Sequence, residues 1–381
     1  MKFEWPFCAV VLLICACFAH LATAQTGPSP CSAETQRNTG GTPPVMVLRQ
    51  GWYVSLAADV DLRLTLQGNK SVFYEGEIIP LKLVFTTNAK QKYTANTRTY
   101  DRSGRLDLES FCVTPDTGSD PLEDYYGSGI WSAFQGGGIS SGDRALTRAP
   151  YVINEELNEW KSLKPGRYTL RVVSGRVDLI RSGATGPGEG PILVLSNAVT
   201  FQVIAATPQW QAEELARAVS LLDTKHENLT QGQFEQIRRA MRVLRFLGSE
   251  AATRELARRF WSHDRPPGSP HGPDVIYPAS QFYQSQIDRS SWDFRAGLIA
   301  SPCRAVAIRE LNAAIDNHEH PATRAMVETL ALLEIQSKVE YKVQKTDDRK
   351  PGEEWEKRRQ AKIAAYNNIV DTLWKQVTST R

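Results

Sequence analysis

A single change of rhythm, at Thr207, constrains this chain more than any other feature. Between Val45 and Ala206 the apolar residues recur at every second position in short runs, "VDLRLTL", "IIPLKLVFT", "RLDLESFCV", "RYTLRVV" and "AVTFQVIA", with turn residues between them. Period two belongs to half-buried strands. In the first run Val60, Leu62, Leu64 and Leu66 share one face, and Asp61, Arg63, Thr65 and Gln67 share the other. Beyond Thr207 the spacing lengthens to about 3.6 residues, the period of a helix. Phe234, Ile237, Met241 and Leu244 form one stripe, Leu256 and Phe260 another, and Leu311, Ile315, Met326, Leu330 and Leu333 continue the series. Thr207-Pro208 supplies a cap and a first-turn proline, and Ser301-Pro302 and His320-Pro321 repeat the device. The expected class is therefore multidomain: an N-terminal all-β part, then a C-terminal all-α part.

The ends add compartment and boundaries. Lys2, the apolar run "FCAVVLLICACFAHLA" and Ala22-Thr23-Ala24 have the order of a secretory signal peptide, so residues 1–24 are expected to be removed and the protein to be secreted or periplasmic. A leader rich in Pro, Gly, Ser and Thr occupies 25–44, the strand region 45–206 and the helical region 207–346. The last is interrupted near 263–278 by the proline-rich "HDRPPGSPHGPDVIYP". Residues 347–381 read as a charged linker and a final amphipathic helix carrying Ile363, Tyr366, Val370, Leu373 and Val377. Cleavage leaves Cys31, Cys112 and Cys303, enough for one intrachain pair at most, so packed cores rather than disulfides must hold the fold. No later stretch approaches the roughly 18 apolar residues of a membrane span. The formal net charge of +3 gives no argument for nucleic acid.

The densest stretch is "LKPGRYTLRVVSGRV", residues 163–177. Pro165-Gly166 suits the two central positions of a type II turn. The strand that follows sends Tyr168, Leu170 and Val172 one way and Arg167, Thr169 and Arg171 the other, which makes the arginines a wet face. Leu163 and Tyr168 about this turn resemble the tyrosine corner of immunoglobulin-like sandwiches, in which the phenol bonds upstream backbone. More widely, "YEGEIIPLKLVFT", "LNEWKSLKPGRYTLRV" and "SNAVTFQV" resemble strand regions of such a sandwich. "AMRVLRFLGSEAATRELARRFW" and "GLIASPCRAVAIRELNAAI" are similar to HEAT-type helix pairs. The whole resembles secreted bacterial proteins of unassigned function, with an Ig-like β-sandwich followed by a HEAT-like α-solenoid. That resemblance implies interaction surfaces and no catalytic residues.

Chemistry-bearing motifs are few. "GISSG" matches the nucleophile-elbow pattern at Ser140, but it lies in a glycine-rich loop of a β region, without the strand and helix the elbow requires, so a serine hydrolase is the remote alternative. "DNHEHP" groups Asp316, His318, Glu319 and His320 at a corner between helices, where polar residues are expected anyway. His263 and His271 flank the proline-rich insertion without metal-ligand spacing. Cys303 beside Arg304, near a helix start, lacks a histidine at any defined spacing. No catalytic residue, metal or cofactor is expected. Two features suit binding. Arg238, Arg242 and Arg245 recur along one helix edge as a basic ridge for acidic groups, and "DYYGSGIWSAFQGGG" sets Tyr125, Tyr126 and Trp131 in a glycine-rich loop where rings can stack on sugar or peptide. The expectation is a non-catalytic binding or scaffold protein whose partner is another protein or an acidic envelope polymer. A carbohydrate-binding module is the alternative.

Overall fold

A computed structural model describes residues 45–47, 53–55, 59–98, 108–122, 143–180, 192–223, 230–260, 293–316, 324–337 and 353–379. The signal segment, the leader, Cys31, the loop of Tyr125, Tyr126 and Trp131, Ser140, His263, His271, His318, Glu319 and His320 lie outside them.

Strands β1 (Val45–Val47) and β2 (Tyr53–Ser55) form a hairpin, and ten further strands make two sheets. The smaller sheet is β3 (Val60–Leu66), β5 (Pro80–Thr87) and β9 (Tyr151–Glu156), in the order β3-β5-β9. Its register sets Leu64 opposite Leu83 and Leu83 opposite Ile153, so one apolar row crosses all three strands on the inner face. The larger sheet gathers β4 (Val72–Tyr74), β6 (Tyr93–Ala95), β7 (Glu109–Thr114), β8 (Arg144–Ala145), β11 (Ile192–Leu195) and β12 (Val199–Ile204) around β10 (Gly166–Leu179). β10 pairs with β12 and β7 along its first part and with β11 and β6 further on, with an irregularity between Ser174 and Val177. Inner residues of both sheets, among them Leu64, Phe85, Phe111, Leu170 and Phe201, share one core.

The helices are α1 (Pro208–Asp223), α2 (Gln231–Leu247), α3 (Glu250–Phe260), α4 (residues 293–300), α5 (Arg304–Asp316), α6 (Arg324–Ser337) and α7 (Glu353–Ser379). Thr207 caps α1 through its hydroxyl to the Trp210 amide at 3.2 Å, and a reciprocal Thr230/Gln233 box starts α2. Left-handed Gly248 ends α2. The sequence stripes meet in one helical core, where Met241, Leu244, Leu256, Phe260, Leu311, Met326, Leu330 and Leu333 are buried together. None of the helices among the described residues is long and apolar enough to cross a membrane.

Two expectations need correction. The class is not a multidomain pairing of an all-β Ig-like sandwich with an all-α HEAT-like array. It is a mixed fold of strands and helices, with about ten strands in two open sheets followed by seven helices among the described residues. The classes are also interleaved, since Leu122 of the strand region is buried among Ala296, Ile299, Val327, Leu332 and Tyr366 of the helices. Periodicity reports the local element and one buried face, not which distant element covers that face. The second correction is Gly166. Its φ is not positive, the residue already belongs to β10, and a Cβ there would lie 3.3 Å from the Tyr168 ring and hydroxyl. The glycine clears space for the phenol, which donates to the Lys164 carbonyl at 2.8 Å, and no type II turn is needed.

Candidate functional site: the cleft at the seam of strands and helices

The seam is built from short pieces on both sides. On the strand side, the turn after β4 carries Glu75, Gly76 and Glu77, closed by the Glu77 amide on the Tyr74 carbonyl at 2.9 Å. Asn158, in the short 3₁₀ helix Leu157–Glu159, holds the Glu75–Glu77 turn with its side-chain amide. It donates to the Glu77 carbonyl at 2.9 Å and accepts from the Ile79 amide at 2.7 Å. Trp160, stacked on Phe111 at 5.4 Å, fixes the same segment to the core. On the helical side stand the C-terminal end of α2 and the junction of α4 with α5.

Gly76 marks how closely the sides approach. Its φ is +84°, and a Cβ would sit 2.8 Å from the Phe246 carbonyl oxygen, so backbone geometry and contact both demand glycine. Nearby, Tyr74 stacks on Trp210 at 4.7 Å and ties β4 to α1.

The seam leaves a cleft of about 580 Å³. Its lining includes Tyr74, Glu75, Glu77, Asp120, Lys161 and Lys164 from the strand side and Arg245, Phe246 and Arg304 from the helices. The lysines are held in ion pairs: Lys164 with Glu75 at 2.9 Å, and Lys161 with Asp116 at 3.1 Å, each with at least one well exposed member. Exposed pairs of this kind are worth about 0–1 kcal/mol, so an incoming charged group can exchange with either partner at little cost.

Two of the three ridge arginines, Arg242 and Arg245, face this seam. Arg245 has a side chain only 1% exposed, gripped at both ends of its guanidinium by Glu159 (2.8 and 2.7 Å) and 3.4 Å from Asp293 of α4. Arg242 Nε lies 3.1 Å from Glu156 Oε2. Arg238 stays on its own helix, 3.6 Å from Glu235. The structure thus brings Arg242 and Arg245 together as fasteners between α2 and the strand region. Only Arg245 of the three lines the cleft.

Of the other candidates, Cys303 is a free thiol that donates to the Gly248 carbonyl at 3.7 Å, and Asp316 ends α5 at the surface. Ser301 joins a small buried network with Thr253 at 2.7 Å and the Cys303 amide at 3.0 Å, which delays the start of α5 to Arg304. Cys112 is disulfide-bonded to a partner outside the described residues. No group of three or more metal-ligating side chains occurs among the described residues.

Sequence reasoning missed a second ionic centre, inside the sheets. Arg176 is 1% exposed and forms a two-point pair with Glu109, Nε on Oε1 and Nη2 on Oε2, the latter at 2.9 Å. It also donates to the carbonyls of Asn96 and Arg98 and reaches Glu155 of the opposite sheet at 3.5 Å. Strand parity was the available signal. Arg176 follows Tyr168, Leu170 and Val172 on the inner face, Glu109 precedes Phe111 and Val113, and Glu155 follows Ile153. No protein-family model matches this chain, and no curated protein shows significant similarity to it.

Proposed function

We propose that this is a secreted or periplasmic binding protein without catalytic chemistry, and that its cleft between strands and helices receives a charged segment of another protein or of an envelope polymer. One observation carries the reading: a cleft of about 580 Å³ whose rim charges are paired with exposed neighbours and can be exchanged. Polar, rim-exposed charges govern association rate and salt response more than affinity. The compartment is supported by the order of residues 1–24, that of a secretory signal peptide.

The test compares the mature chain with the double variant Lys161→Glu/Lys164→Glu in pull-downs from envelope and medium fractions at low and high salt. The expected result is a partner retained by the mature chain at low salt, weakened at high salt and absent with the variant, while both proteins unfold at nearly the same temperature. A partner kept by the variant with the same salt response places binding elsewhere on the surface.

A further inference from the structure

β9 supplies one carboxylate to the space between the two sheets and one to the seam with α2. Glu155 and Glu156 are neighbours on one strand, so their side chains leave it in opposite directions. Glu155 turns inward with Ile153 and spans the two sheets to Arg176. Glu156 turns to α2 and meets Arg242 at 3.1 Å. Their side chains are 16% and 17% exposed.

The charges around each are lopsided. Arg176 already gives Nε and Nη2 to Glu109 of β7 and Nη1 to two backbone carbonyls, so among the described residues Glu155 has the long 3.5 Å contact and is the second carboxyl on one arginine. Tyr151 lies beside the same cluster, and Glu156 and Glu159 stand beyond it. Facing Glu156 are Arg242 and Arg245 from α2, Glu159 from the 3₁₀ turn and Asp293 from α4, and Arg245 is engaged by those last two acids. Among the described residues, with Glu156 itself, three carboxyls meet two guanidiniums here.

We propose that β9 is a pH-sensitive latch between sheets and helices, closed in acid and loosened as the medium turns neutral to alkaline. Removal from water, ahead of the neighbouring carboxylates, pushes Glu155 up to about 8 and Glu156 to about 7, from an ordinary value of 4.5. The closed seam therefore holds protons that an opened, hydrated β9 gives up. Its stabilisation is complete below 4.5, declines as pH rises, and is lost once the closed-state values of about 7 and 8 are passed. Within that window each proton released shifts the balance toward the open form by up to about tenfold per pH unit. Asp59 and Glu255, whose carboxyls are held below their ordinary range by Lys92 and by Arg258 and Arg259, act in the opposite sense, and only at lower pH. The latch stands on the seam alone and does not depend on what the cleft binds.

Hydrogen exchange of the full chain, read by mass spectrometry and corrected for the intrinsic pH effect on amide chemistry, measures opening segment by segment. Between pH 5.5 and 7.5, opening of α2 and β9 is expected to rise about tenfold or more, with β3 and β12, which do not pair with β9, as the internal reference that changes less. The double variant Glu155→Gln/Glu156→Gln, a shape-preserving mimic of both protonated acids, should reduce that rise to about twofold or less, and Glu156→Gln alone should remove only part of it. An unchanged pH response in the double variant, or no response in the natural chain, overturns the latch. Should that variant fail to fold, the natural chain still decides, because a response spread evenly over all strands and helices excludes a latch at β9.

Discussion

The two halves of β10 treat arginine in opposite ways. In the first half Arg167 and Arg171 stand exposed beside a buried Tyr168, Leu170 and Val172. In the second half Arg176 continues the buried row, enclosed by Glu109, two backbone carbonyls and Glu155. The residue type is the same, but Arg171 lies where one face of β10 is open, whereas around Arg176 residues of both parities, Val173 and Val177 included, are buried. A buried guanidinium is tolerated only where its N–H groups are all met, and the partners here come from β7, from the segment after β6 and from β9. Arg245 at the seam is a third case. It lies on a helix edge, where parity gives no warning, and is buried because α2 meets the 3₁₀ turn and α4.

The contrast is tested most severely at Arg176. Replacement by Met fills similar volume but leaves Glu109, whose side chain is 1% exposed, without its counter-charge. Breaking a buried pair from one side costs about 3–5 kcal/mol, so chemical denaturation of Arg176→Met should show a loss of that order or a failure to fold. A loss under about 1 kcal/mol would mean that the Arg176–Glu109 pair contributes little to holding β7 and β10 in place. Replacing Glu109 by Gln together with Arg176→Met should recover much of the loss, since the stranded charge is then gone.

A middle-sized effect separates the tyrosine from its neighbours on the same inner face. Tyr168 is 3% exposed, and its hydroxyl donates to the Lys164 carbonyl at 2.8 Å, with the Thr117 hydroxyl 3.2 Å away. Tyr168→Phe keeps the ring on Phe201 and removes this bond, so thermal unfolding should report a cost of about 0.5–1.5 kcal/mol. A neutral result would assign the role of Tyr168 to packing alone.

These sizes also show what was legible in the sequence. The runs "VDLRLTL" and "RYTLRVV", the helical stripes and the Thr207 cap were readable because each depends on neighbours within one element. The ionic centres depend on partners 67 residues away for Arg176 and 86 for Arg245, which no local pattern announces. Parity could have flagged Arg176, Glu109 and Glu155 as inward-facing charges, but not that they meet. The cleft was illegible for the same reason. Its walls, Glu75 to Glu77, Asn158 to Lys164 and the ends of α2 and α4, are short turns whose juxtaposition is set by tertiary packing. Gly76 is the exception in kind. A glycine between two glutamates signals a turn, but its contact with the Phe246 carbonyl is visible only in three dimensions.

The smallest expected effect is the one that makes the comparison within β10 decisive. Arg171 is exposed and lies on the face opposite Leu170 and Val172, five residues before Arg176 on the same strand. Its stem can cover some apolar surface, but its charge is solvated. Arg171→Gln retains most of that stem and should change stability by no more than about 0.5 kcal/mol, the usual range for a surface site free of caps or special backbone. Measured side by side in the same denaturant series, Arg171→Gln and Arg176→Met should differ by several-fold in cost although both remove one arginine from β10. If the two costs converge, because Arg171 matters more or Arg176 less, then position along β10 does not sort the charges of this strand, and Arg176 cannot be regarded as the buried bridge between the sheets.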